Sequence, residues 1–165
     1  MLSEPTLEEL PARPYAALRR KVTMHNIGEV LPAIHPTVFG WLAAKGIAPA
    51  GPPFWKYNVI DMEAEMEVEV GVPVATAISG DGDVLAGVLP AGRYVTAWHT
   101  GHPSELAAAT GSLLDWAAGQ GLKWDKTESE HGERWASRLE IYETDPAEEP
   151  DMTKWRTQLA FKLAD

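Results

Sequence analysis

The sequence predicts an α+β fold built by duplication: two copies of a strand-helix-strand-strand unit within one domain over residues 1–165, the copies falling at about residues 10–79 and 84–165. Three observations predict it. Two extended segments open on an aromatic and end in polar residues, Tyr15-Ala-Ala-Leu-Arg-Arg20 and Tyr94-Val-Thr-Ala-Trp98-His99. Two helical segments end alike, in Trp41-Leu-Ala-Ala-Lys-Gly46 and Trp116-Ala-Ala-Gly-Gln-Gly121. A pair of strand-like segments then follows each helix, so the order of elements repeats together with its punctuation.

In the first copy the strand from Tyr15 ends in Arg19-Arg20-Lys21, a basic cluster that reads as a solvated strand end. Ile27, Leu31, Ile34, Val38, Trp41 and Leu42 keep a helical period, but Pro32 and Pro36 interrupt it. The regular helix therefore begins near one of those prolines, where a missing N–H does no harm. Strands are expected over Phe54–Asp61 and Glu63–Val74. The run Glu63-Ala-Glu65-Met-Glu67-Val-Glu69-Val alternates strictly, which assigns its four glutamates to a solvated face and not to a metal site. Gly80-Asp81-Gly82-Asp83 has the turn chemistry to separate the copies. In the second copy Pro103-Ser104-Glu105 supplies a capping residue for a helix carrying Leu106, Ala109, Leu113, Leu114 and Ala117, which Gly119 and Gly121 stop. Its two strands are expected over Arg138–Thr144 and Trp155–Leu163. Trp41 and Trp116 lie on apolar helix faces and read as core.

Composition narrows the function. Hydrophobic residues make up 45% and charged residues 23%, enough for a core without covalent staples, and there is no cysteine to form disulfides, thiolate metal sites or a thiol nucleophile. With 24 acidic against 14 basic side chains, the net charge of −10 repels phosphate and disfavours direct nucleic-acid binding. Histidines 25, 35, 99, 102 and 131 form no ligand pattern, and there is no nucleophile elbow, phosphate loop or dinucleotide fingerprint. No metal or cofactor is expected. Met1 to Pro11 has neither a basic region nor an apolar run, and no stretch reaches bilayer-spanning length, so a cytoplasmic protein without a membrane partner is expected.

Four local motifs add to this reading. They are Asp61-Met62-Glu63 leading to Gly71-Val-Pro73-Val74; Leu89-Pro-Ala-Gly92-Arg-Tyr94; Trp98-His99-Thr-Gly101; and Leu139-Glu140-Ile-Tyr142-Glu-Thr-Asp145-Pro146 with Trp155-Arg-Thr157 after it. In this order, over nearly the whole chain, they resemble the GyrI-like small-molecule-binding family, the module that also serves as the effector-binding domain of multidrug-responsive transcription activators. The resemblance implies an antiparallel sheet with pseudo-two-fold symmetry, two main helices on one side and a ligand groove between the halves on the other. It also implies that Glu140 is the central acidic residue. The segment Thr127 to Trp135 departs from the family pattern, being longer and more charged, which bears on the rim of the pocket.

Alternation places Glu140 and Tyr142 on one face of their strand and Leu139 and Ile141 on the other. Leu139 and Ile141 are expected to pack under a helix, while Glu140 and Tyr142 face a cavity between the halves. A carboxylate buried there either holds its proton or attracts a cation. From alternation alone the plainer reading is an exposed glutamate, or one paired with Arg138 or Arg156; the resemblance favours the pocket. Seven tryptophans and four tyrosines supply candidates for its wall, namely Trp55 or Tyr57, Trp98, Tyr142 and Trp155, whose faces attract cations and flat hydrophobic ligands. Trp55 and Tyr57 share one face of their strand and Phe54, Lys56 and Asn58 the other, and alternation leaves open which face meets the groove. The expected ligands are hydrophobic or cationic aromatic small molecules. Two alternatives stand beside this: a hydrolase of strained electrophilic natural products using Glu140 and Tyr142, and a protein-binding regulator using the outer acidic strand.

Overall fold

The computed structural model describes residues 1–61 and 63–164, so Met62 of the Asp61-Met62-Glu63 motif and Asp165 lie outside the described residues. The chain begins with two consecutive strands, β1 (Thr6–Leu10) and β2 (Arg13–Val22). One helical turn, α1 (Ile27–Val30), and a 3-10 turn at Pro32–Ile34 lead into α2 (His35–Ala44). Pro32 and Pro36 divide this stretch as expected, each falling in a first turn. There follow β3 (Phe54–Ile60), β4 (Met66–Pro73), β5 (Leu85–Leu89), β6 (Gly92–Thr100), α3 (Leu106–Gly119), β7 (Lys126–Ser129), β8 (Gly132–Trp135), β9 (Arg138–Tyr142) and β10 (Arg156–Lys162). Gly46 and Gly121 close α2 and α3 with φ of 70° and 71°, the left-handed geometry that favours glycine just past a helix.

The strands form one curled antiparallel sheet in the order β1-β6-β10-β9-β3-β4-β2-β5. Its centre is the β3–β9 pair, where Trp55 stands opposite Glu140. A pseudo-two-fold axis through that pair carries β3, β4 and β2 onto β9, β10 and β6, so Trp55 corresponds to Glu140 and Tyr57 to Tyr142. Beyond the expected units lie two outer strands. β1, which leads into the first unit, pairs with β6 of the second, and β5, which leads into the second, pairs with β2 of the first. The matching tripeptides Leu10-Pro11-Ala12 and Leu89-Pro90-Ala91 begin on the last residue of each exchanged arm. The charged segment from Thr127 to Trp135 forms the β7–β8 hairpin, which adds to β3 through Val59 opposite Arg134 and Ile60 opposite Glu133.

Each sheet face has its own core. On one, Leu31, Ile34, Val38 and Leu42 from α2 and its approach, and Leu106, Ala109 and Leu113 from α3, cover Val68, Val70, Val72, Val95, Ala97 and Leu159. Each fully buried leucine there contributes about 1.5–3 kcal/mol. Trp41 and Trp116 pack against this core, as the apolar helix faces require. The other face gathers Tyr15, Ala17, Phe54, Leu89, Tyr94, Leu139, Ile141 and Ala160 without a helix residue. Phe54 lies so close to Gly71 that a Cβ there would sit 2.6 Å from the ring, and Tyr15 meets Phe54 edge-on at 5.3 Å. Among the described residues no helix is long and apolar enough to cross a membrane.

Three expectations are corrected here. Leu139 and Ile141 do not pack under a helix; they belong to the helix-free face, and Glu140 and Tyr142 point toward the helices. The glutamates of Glu63 to Val70 are not one solvated face: Glu63 and Glu65 are exposed and precede β4, whereas Glu69 is 3% exposed and bonded to its neighbours. Pro103-Ser104-Glu105 places Glu105 at the N-cap position of α3 but gives it no side-chain cap bond; the capping bond is one turn earlier, where His102 Nδ1 accepts from the Ser104 backbone N–H at 3.1 Å and caps the 3-10 turn at Pro103–Glu105.

Candidate functional site

Glu140 stands at the middle of β9, 9% exposed, with its side chain on the helix face. Strand alternation and the β3–β9 register bring two phenols to one of its oxygens. Tyr142 on the same strand donates to Oε1 at 2.6 Å, and Tyr57 on β3 donates to the same atom at 3.0 Å. Trp55 closes over them, its ring 5.0 Å from that of Tyr142 at an interplanar angle of 70°. The Trp55 indole N–H donates to His35 Nε2 at 2.8 Å, and the His35 ring lies 6.1 Å from that of Tyr142. His35 is the first residue of α2, so this bond ties the start of that helix to the centre of the sheet.

On the other side of Glu140 along β9 sits Arg138. Its guanidinium lies over three rings, 4.8 Å from the centroids of both Trp135 and Phe161 and 5.9 Å from that of Tyr57. Trp124 packs against Trp135 and Phe161 at 5.6 and 5.8 Å, which holds those rings in place. The β7–β8 hairpin thus brings Trp135, its last residue, against the Arg138 guanidinium.

Burial raises the Glu140 carboxyl above its ordinary range, opposed by the two phenol bonds and by the charge of Arg138. Burial, then the neighbouring carboxylate, pushes both Tyr57 and Tyr142 well above the usual phenol value, so both remain donors at neutral pH. Burial lowers the Arg138 guanidinium, with Glu140 acting in the opposite direction, and lowers His35, which keeps Nε2 free to accept from Trp55. The arrangement is a desolvated carboxylate walled by π faces, a setting that favours the approach of a cation.

Of the residues singled out from the sequence, Glu140, Tyr142, Tyr57 and Trp55 come together. Trp98 does not join them. It alternates with Val95 and Ala97 of the helix-face core and so points to the other face, where Arg156 stacks on it at 4.3 Å. Trp155 precedes β10 and donates its indole N–H to the Glu149 carbonyl at 2.7 Å. Sequence reasoning missed His35 and Trp135, and considered Arg138 only as an ion-pair partner. The position of His35 beside Pro36, at a helix start, was the one available signal. Two open concavities lie elsewhere: one of about 350 Å³ on the helix-free side, lined by Arg13, Pro52, Phe54, Pro73, Leu89 and Ile141, and one of about 310 Å³ bordered by Lys21, Met66, Glu67, Glu130 and Arg134. Among the described residues no three His, Asp or Glu side chains are placed to hold a metal ion.

A curled half-barrel with two main helices and a buried acid among aromatics on the helix face defines a small-molecule-binding module. The chain belongs to the GyrI-like family, matching the GyrI-like small molecule binding domain over residues 3–163. It is similar to the C-terminal domain of EcmrR, with a TM-score of 0.78 and 20% identity, covering 98% of each chain. EcmrR in its DNA complex gives 0.74 and 21%, and there the chain spans 57% of that protein's length. SAV2435 bound to tetraphenylphosphonium gives a TM-score of 0.61 at 9% identity, covering 98% of this chain and 94% of that one. At these identities the likeness to solved structures establishes the fold alone. No curated protein shows significant sequence similarity to the chain.

Proposed function

We propose that the chain binds lipophilic aromatic cations at Glu140, with Tyr57, Tyr142 and Trp55 as the wall. The observation that carries this is a carboxylate buried on the helix face with both phenols on one oxygen and three rings around it, counting Trp55. SAV2435, which shares the fold, has been seen with tetraphenylphosphonium, a cation of this class. The rings pack closely enough to leave Glu140 nearly inaccessible, so entry of a ligand requires Trp55 and Tyr142 to part. The His35–Trp55 bond is the latch on that movement. Trp98 and Trp155 contribute to the fold around the site and not to the wall itself.

The test compares methyltriphenylphosphonium with neutral triphenylphosphine oxide by isothermal titration. Glu140→Gln keeps volume and much of the hydrogen bonding and removes the charge. Losing one member of a desolvated charge pair commonly costs about 2–5 kcal/mol, so the cation should weaken by about 30-fold or more while the neutral compound changes little. Equal losses for both compounds would show that Glu140 shapes the site without pairing with the ligand.

A further inference from the structure

Arg138 already occupies the place where a cation would be best held. Its guanidinium lies over Trp135, Phe161 and Tyr57, two residues from Glu140 on the same face of β9. A positive group over aromatic faces and beside a buried carboxylate is the arrangement by which proteins recognise organic cations, here completed from within the chain. Glu140 is not an unmet charge waiting for a ligand, since Tyr57 and Tyr142 satisfy one oxygen and the field of Arg138 acts on the carboxylate. A ligand cation placed near the rings meets like charge unless the guanidinium leaves.

We propose that Arg138 is an intramolecular competitor that sets the charge selectivity of the site: a lipophilic cation binds by displacing the Arg138 guanidinium from Trp135 and Phe161. This rests on the reading of Glu140 as the ligand's partner. The exchange has a structural basis. Arg138 is anchored by ring stacking near the end of β9, and guanidinium tolerates both a stacked and a solvated state better than a compact ammonium does. Moving it outward leaves the backbone pairing of β9 with β3 and β10 unchanged. A neutral ligand gains nothing from the exchange, because it would vacate a favourable cation position without supplying another charge. Arg138 therefore raises the threshold for cations, and only those whose aromatic surface replaces its stacking pass.

The test uses the whole chain. Arg138→Met keeps an apolar stem and removes the charge, and it should bind methyltriphenylphosphonium at least tenfold tighter than the unaltered protein, with little change for triphenylphosphine oxide. The added Glu140→Gln substitution should erase that gain. Arg138→Lys, which restores a charge, should return the affinity toward the starting value. A folded Arg138→Met variant with no gain, or with equal gain for both compounds, would overturn the proposal, because Arg138 would then fill space without competing. A second readout needs no substitution. The Arg138 Nε–H resonance should be shifted by the rings of Trp135 and Phe161 in the free protein and move to the solvated position as the phosphonium saturates the site; an unmoved resonance at saturation rules out displacement. Cation binding that depends on Glu140 but is unimproved by Arg138→Met removes this inference alone. Binding by Arg138→Met with none by the unaltered chain overturns it, because the guanidinium would then block the site and not yield to the cation. Binding by neither removes both.

Discussion

Two carboxylates are buried on opposite faces of the sheet, one on each side of β3, and their surroundings differ in kind. Glu69 on β4 is satisfied at both oxygens: Tyr15 donates to Oε1 at 2.6 Å, Asn58 donates to Oε2 at 2.5 Å, and Lys56 lies 3.7 Å from Oε2. Its partners come from β2 and β3, so the network stitches three neighbouring strands together, and burial lowers the Lys56 ammonium while Glu69 supports its charge. At Glu140 both phenols converge on a single oxygen and the nearby cation is held by rings. The first arrangement closes on itself; the second is built around a group whose charge state can change. The contrast separates a carboxylate whose two oxygens are taken up by neighbouring strands from the one proposed above as a ligand's partner, although both are buried glutamates on strands.

The largest effect expected from this contrast is on stability. Glu69→Gln leaves the buried Lys56 ammonium bonded to Asn58 Oδ1 but without its ion-pair partner, and breaking such a buried pair costs about 3–5 kcal/mol. Glu140→Gln removes a charge that burial already disfavours and should change stability by less than about 1 kcal/mol at neutral pH. Paired urea denaturation curves measure both, and equal losses would erase the distinction between the two sites.

A smaller effect concerns pH and also sharpens the comparison. Because the folded Glu140 carboxyl holds its proton above the ordinary value of 4.5, it favours the folded state at acid pH, and that contribution is lost as pH rises through the elevated folded value. His35 has the opposite sign: its folded value lies below the ordinary 6.5, so its contribution is complete above 6.5 and is lost as pH falls through the lowered value. Stability measured from pH 4 to 8 should therefore show two opposing slopes, with Glu140→Gln removing the first and His35→Gln the second. If Glu140→Gln leaves the curve unchanged, the carboxyl is not perturbed by its setting.

The smallest effect is expected at Trp98, on the face away from the site. Trp98→Ala should leave phosphonium affinity within about twofold, well under 1 kcal/mol, while removing its stacking with Arg156. A large loss on titration would mean that the ligand reaches the helix-free face, and the assignment of sides would fail.

Much of the fold could be read from the residues because the repeated elements carry local punctuation. The Trp-to-Gly helix endings, the prolines around α2 and the turn at Gly80–Asp83 all act within a few positions of themselves. The pairing of Glu140 with Tyr142 was equally local. Which side of the sheet the helices cover was not, because alternation sorts Leu139 from Glu140 but assigns neither to a layer. Glu69 reads as solvent-facing for the same reason: its polarity is plain, whereas the tyrosine, asparagine and lysine that satisfy it come from other strands. His35 and Trp135 enter the site through contacts between α2, β8 and the sheet centre, which no spacing along the chain encodes. The exchanged arms are short and lie at the sheet edges, so their alternation is weak; only the repeated Leu-Pro-Ala that begins on their last residues marks the match.

Those arms also govern the order in which the molecule can assemble. β1 has to wait for β6, whose residues are made far later in synthesis, and β2 remains open on its outer side until β5 has been translated. The first unit can gather α2, β3 and β4 about β2 early, but its leading arm has no berth there, since that side of β2 is reserved for a strand from the second unit. Closure consequently depends on pairings between distant parts of the chain, which makes the final step slow relative to helix and hairpin formation. Each unit completes the other, and a chain interrupted between them would yield two fragments that each carry one strand meant for its partner.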